Sequence, residues 1–245
     1  MIYHILPGDA VATDFAKLGL TGETIVCREA LVDGPVDAET LHEFWDQRAR
    51  FVLADYGEDE IAYHDSVADG LSRLMDLDGS DEVILWFEYE LFCSVNMWFC
   101  LWLLNYTGAK LFRVEPVVRS EEDRWLGFGR LEPDDLNRCY DARIPFAKDD
   151  VALGAALWDA YRKGDVEQLR GLANTASPCF PYLKEVARAA ADKGTRPAEI
   201  LAEIRSMGKT DFADIFPEFT AQAGIYGFGD LQVQRILDTI VNGAE

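Results

Sequence analysis

Positive charge is what this sequence has least of. Its 245 residues carry 23 Lys and Arg against 44 Asp and Glu, a net charge of −21. The imbalance is uneven, because residues 1–118 hold 7 basic and 22 acidic side chains. A surface of that sign repels phosphate backbones, and no stretch gathers the Lys/Arg cluster that nucleic-acid binding requires. DNA and RNA are therefore not expected as partners. A basic protein partner, a divalent cation or a neutral small molecule is compatible with the field, and the charge itself favours solubility.

Cysteine pairs are also missing. Cys27, Cys93, Cys100, Cys139 and Cys179 are odd in number, widely spaced and form no C-x-x-C. They read as reduced, buried thiols, not a disulfide frame or zinc site. The opening Met1-Ile2-Tyr3-His4-Ile5-Leu6 has no basic region before its apolar run, so no signal peptide is expected and a cytoplasmic location is. The one charge-free segment, residues 91–109, includes Ser94 and Asn96. Its apolar part falls short of the ~20 residues of a membrane span. A buried core helix is the expectation there.

Cofactor fingerprints are absent in turn. No G-x-x-x-x-G-K-[ST], H-E-x-x-H or G-x-S-x-G occurs. The first turn, Pro7-Gly8-Asp9, has one glycine where a dinucleotide loop needs three, and an acid where pyrophosphate would sit. NAD or FAD is not expected. His4 lies inside a strand-like run and reads as a core residue, whereas His42 and His64 fall on separate helices, so the histidines form no metal cluster by spacing.

What is present is a βα alternation. Ile2–Leu6, Thr24–Cys27, Val83–Phe87 and Lys110–Val114 are short, nearly continuous apolar runs, as strands covered on both faces tend to be. Between the second and third lie two helix-period segments, one from Asp37 to Gly57 and one from Asp59 to Leu77. Residues 119–130 break this periodicity as a linker, and 131–245 read as mostly helix, with Pro133, Pro181 and Pro197 at first-turn positions. The expected architecture is an α/β, Rossmann-like parallel-sheet domain over 1–118 and a mainly helical domain over 131–245. The last helix has only Arg235 as a base, beside Asp230 and Asp238, and would make a poor DNA-recognition helix.

Open parallel sheets bind ligands outside the carboxyl ends of their strands. There the sequence places Asp9, Arg28-Glu29, Asp33-Gly34-Pro35, Glu88-Tyr89-Glu90 and Glu115-Pro116. Asp9, Asp33, Glu88 and Glu90 are candidate ligand-binding acids, able to hold a divalent cation or to move a proton. Gly34 accompanies Asp33, and Arg48, on the following helix, is a candidate anion partner or a partner for Asp33. The competing structural readings are Asp9 as a helix cap, Asp33-Gly34-Pro35 as a turn and Arg48 as a helix-surface base.

These fragments also carry a family resemblance. His4-Ile5-Leu6-Pro7-Gly8-Asp9, Asp33-Gly34-Pro35, Arg48 and Trp86-Phe87-Glu88 resemble bacterial proteins with the domain of unknown function 1835. Gly127-Phe128-Gly129-Arg130-Leu131, Trp158, Phe180-Pro181-Tyr182-Leu183 and Gly229-Asp230 resemble the companion domain of unknown function 3658. The resemblance implies an α/β domain followed by a helical one and brings no reaction with it. It departs after the third strand, where the family's His-Asp and Asp-Gln steps are replaced by Tyr89-Glu90 and Cys93-Ser94. Two functional expectations follow. One is a small-molecule or cation site at the sheet edge, hydrolytic or transfer in chemistry if catalytic. The other is a non-catalytic adaptor that engages a basic partner through its acidic surface.

Overall fold

The computed structural model describes residues 1–242. The fold is α/β. Its sheet contains β1 (Ile2–Leu6), β2 (Glu23–Val26), β3 (Glu82–Trp86), β4 (Lys110–Val114) and β5 (Ile144–Pro145), in the order β2-β1-β3-β4-β5. The first four are parallel, and β5 runs antiparallel to β4. β1 and β4 have the expected bounds, while β2 and β3 each begin and end one residue earlier. Strand order turns back on itself between β1 and β3, and the carboxyl ends of strands at such a reversal are where open parallel sheets hold ligands.

Helices cover both faces. On one side α1 (Asp9–Phe15) and α6 (Pro133–Asp141) close over Leu6, Ile84, Trp86 and Val114. On the other lie α2 (Leu41–Tyr56), then α3 (Glu60–Tyr63) and α4 (Asp69–Ser72) joined through a π-helical turn at His64–Ala68, and α5 (Leu91–Leu104). α2 starts with a full capping box, Thr40 with Glu43, and stops at Gly57 in the left-handed region. The expected helix from Asp59 to Leu77 is thus a continuous helical run with a π turn inside it, ending in a 3-10 turn at Arg73–Asp76. Asp59 caps its start through the N–H groups of Ile61 and Ala62.

The charge-free segment is a core helix, as expected. Trp98 on α5 is 1 % exposed, and Phe99 packs at a tilt against Phe44 and Trp158, ring centroids 5.0 and 4.9 Å away. Trp158 belongs to α7 (Lys148–Arg162), which lies along α5 closely enough that a Cβ on Gly154 would strike the Leu101 side chain. The remaining helices are α8 (Val166–Leu172), α9 (Leu183–Asp192), α10 (Arg196–Ser206), α11 (Phe212–Ala223) and α12 (Asp230–Asn242). One hydrophobic cluster runs from Ile5 and Leu85 through α5 and α7 to Phe219 and Val233. Residues after 130 therefore contribute both a strand and core side chains to the structure begun by residues 1–118. Among the described residues no helix is long and apolar enough to cross a membrane.

Buried polar groups are satisfied largely within this frame. His4 is fully buried; its Nε2 donates to Thr21 O at 3.1 Å and its Nδ1 accepts from Trp86 Nε1 at 3.2 Å. That division of roles makes it the neutral core histidine the sequence indicated, and burial pushes its proton affinity down. All five cysteines are free and buried.

Candidate functional site

The acids that follow the strands have different fates. Asp9 is the first residue of α1, whose cap is Gly8, and its carboxylate lies at the surface on Arg28 at 2.8 Å. Arg28 lowers the Asp9 proton affinity through their hydrogen bonds. Asp33 accepts from Tyr56 Oη at 3.0 Å and from Arg235 of α12 at 2.8 Å. Gly34 has φ +73° with the Phe51 ring against it, so the Asp33-Gly34-Pro35 turn needs its glycine for conformation. Arg48 is neither a surface base nor an open anion site. It is fully buried, holds Glu29 at 2.8 Å, and donates to the backbone carbonyls of Asp33 (2.7 Å), Pro35 (3.3 Å) and Ala30 (3.2 Å).

Glu29, which the sequence left without a role, is the centre of that node. Its carboxylate takes Arg48, the Tyr63 hydroxyl and the Ala30 N–H, while Asn96 of α5 donates to its backbone oxygen at 2.6 Å. The 27–38 segment is further tied to the second half of the chain, by Tyr161 Oη to Leu31 O at 3.2 Å and Lys193 Nζ to Val32 O at 2.8 Å.

Glu88 and Glu90 are the expected site residues that the fold brings together. Both follow β3, and with Cys93 their ligating atoms lie within 4.8 Å of one another. Glu90 caps α5, its two oxygens accepting from Cys93 N at 3.0 Å each. Glu88 Oε1 accepts from Phe128 N at 2.6 Å, and the Cys93 thiol stands 3.9 Å from its Oε2. No cation pairs with either carboxyl among the described residues. A helix N-terminus stabilises the charged form of a capping acid, but here burial, and then the Glu88 charge, outweigh it. They push the Glu90 carboxyl up to about 8. Burial raises Glu88 as well, against the opposing effect of the Phe128 N–H.

Two glycines complete this geometry. Gly127 (φ +67°) and Gly227 (φ +66°) press their backbones on the carboxylates of Glu88 and Glu90 respectively, and a Cβ at either would fall on the acid it faces. Each opens a Gly-Phe-Gly, 127–129 and 227–229. That repeated tripeptide is the sequence signal that could have located both walls.

Above the acids lies a cleft of about 480 Å³. Trp125 and Leu126 come from the 119–130 segment, Phe216 and Phe219 from α11, and Phe228 from the second Gly-Phe-Gly, with exposed Glu122 and Arg130 on the rim. The size suits a small organic molecule, and apolar walls over a few convergent polar groups are the usual composition of a ligand site. Two coupled carboxyls of raised proton affinity can share one proton near neutral pH, so that one donates while the other accepts. The same three ligating atoms could hold a divalent cation once Glu90 and the Cys93 thiol, whose proton affinity burial also raises, release their protons. No protein family, curated protein or solved structure matches the chain.

Proposed function

We propose that the protein binds a small molecule in the cleft over Glu88 and Glu90, and that the carboxyl pair moves a proton in hydrolytic or transfer chemistry on it. The observation that supports this reading most is Glu90: a buried carboxyl with no cationic partner among the described residues, beside a second carboxyl, opening on an aromatic-walled cleft. Capping α5 asks only for an acceptor oxygen, which a neutral side chain also supplies, whereas proton transfer needs a group that titrates. Two of the motifs behind the family resemblance, Trp86-Phe87-Glu88 and Gly127–Leu131, supply residues to this cleft. The same proposal takes the chain as a cytoplasmic member of that family.

A divalent cation is the second reading, favoured by the 4.8 Å grouping of Glu88, Glu90 and Cys93. A thermal-shift screen of neutral small molecules and divalent cations at pH 6 and pH 9, on the natural chain and on Glu88→Gln and Glu90→Gln, separates the two. A ligand that needs the protonated pair stabilises more at pH 6. A cation competes with the proton and stabilises more at pH 9. Either effect is expected to vanish in the Gln variants. If no compound shifts the melt, the site reading fails and the adaptor reading takes its place. Binding to a basic protein partner would then collapse as salt rises past about 0.2 M.

A further inference from the structure

A second cavity, of about 340 Å³, lies between α8 and α9, and inferring its ligand is independent of the reading above. Arg170 borders it from α8, and Lys184 and Arg188 from α9. Lys184 and Arg188 are four residues apart and share a helix face, an arrangement that costs helix stability when the charges are alike. Neither has a carboxylate within salt-bridge distance among the described residues. Among the described residues Arg170 pairs with Glu167 alone, with both side chains more than half exposed, a pair that solvent makes weak. One acid, Asp192, is among the bordering residues, its Oδ1 accepting from Tyr226 Oη at 2.6 Å, and its single charge is outnumbered by the three bases. Ala173, Ala191 and Asn174, whose amide donates to Arg170 O at 3.1 Å, complete the walls.

Three bases around one hollow invert the composition of a chain with 44 acids and 23 bases. At physiological ionic strength screening limits the net negative field to about 8 Å, so the local bases decide what the hollow attracts. Guanidinium forks match phosphate oxygens two at a time, and an ammonium adds a point charge. We propose that this cavity binds a small phosphate monoester, with the phosphate among Arg170, Lys184 and Arg188 and the organic part over Ala173 and Ala191.

Calorimetric titration of the full chain with ribose 5-phosphate and with inorganic phosphate, at about 0.15 M salt, tests this. Saturable binding of the sugar phosphate is expected, at least about tenfold tighter than that of inorganic phosphate, which gains nothing from the alanine walls. The double variant Lys184→Ala/Arg188→Ala should lose at least about tenfold in affinity. Arg50→Ala, which removes an exposed base on α2, should lose nothing. Both cavity bases are exposed, so melting curves of the double variant should match the natural chain. Three results would each overturn the proposal: no binding of the sugar phosphate, binding undiminished in the double variant, or an equal loss in Arg50→Ala. Equal affinity for inorganic phosphate would also overturn it, reducing the site to one for a bare anion.

Discussion

Glu29 and Glu90 both follow strands of the same parallel sheet and both are buried, at 2 % and 4 % exposure. Around Glu29 the fold places a guanidinium, a phenol and an N–H, so the charge is answered on every side. Around Glu90, among the described residues, it places the start of α5 with the Cys93 thiol, a glycine and another carboxyl. The first arrangement anchors the loop after β2 to α2 and α5. The second keeps a proton that water would remove, and it does so beside a cleft. Burial alone therefore does not distinguish a joint from a site; the company a buried acid keeps does.

The largest effect is expected from breaking the compensated side. Arg48→Met would leave Glu29 charged in the core with its two neutral donors but no cation, at a cost of about 3–5 kcal/mol. Urea unfolding measures it, and a loss below about 1 kcal/mol would mean that Glu29 is not held as an ion there. Arg48→Met combined with Glu29→Gln should recover part of that loss.

The uncompensated side should show itself in pH dependence. The folded chain holds the Glu90 proton up to about 8, against an ordinary value of 4.5, so the folded state binds the extra proton between those limits. Glu90's contribution to stability is whole below pH 4.5, falls as pH rises through this window and is lost above pH 8. At about 1.4 kcal/mol for each pH unit of displacement, the change amounts to a few kcal/mol. Glu90→Gln should flatten the fall, seen as a smaller difference between melting at pH 5 and pH 9. An unchanged difference would place the proton elsewhere.

Gly227→Ala sharpens the same contrast more gently. The left-handed backbone costs an alanine about 1–2 kcal/mol, and the clash with Glu90 adds to it. In a Glu90→Ala background only the backbone part should remain, a coupling that a double-mutant cycle reads directly. The smallest effect is expected at Asp9: its pair with Arg28 is solvent-exposed, and Asp9→Asn should cost less than about 1 kcal/mol and leave any cleft ligand bound. Loss of ligand in that variant would return Asp9 to the site.

Legibility followed the range of the interactions. Continuous apolar runs revealed β1 and β4 to the residue, and the charge-free stretch revealed α5, because burial on both faces writes itself into adjacent positions. β5 was not legible, being two residues long and half proline, and α8 is a short seven-residue helix. The acids at the end of β3 were found from topology alone. That Arg48 belongs to Glu29, and Asp9 to Arg28, could not be read, since each pair is 19 residues apart with no period linking its members. The walls of the cleft came from still farther away, and only the recurrence of Gly-Phe-Gly marked them in the sequence.

The Gly227 backbone that covers Glu90 has a consequence for the growing chain. On a ribosome, Glu90 emerges long before residue 227 and meets water as an ordinary carboxylate. The lid over it arrives only with the second Gly-Phe-Gly, a contact more than a hundred residues distant and slow to close. Once it closes, a group that holds its proton to about 8 must be filled from the surrounding medium. At neutral pH Glu90 therefore takes up a proton as the molecule finishes assembling, and in a dilute buffer with a pH dye the alkaline step on refolding should be smaller for Glu90→Gln than for the natural chain.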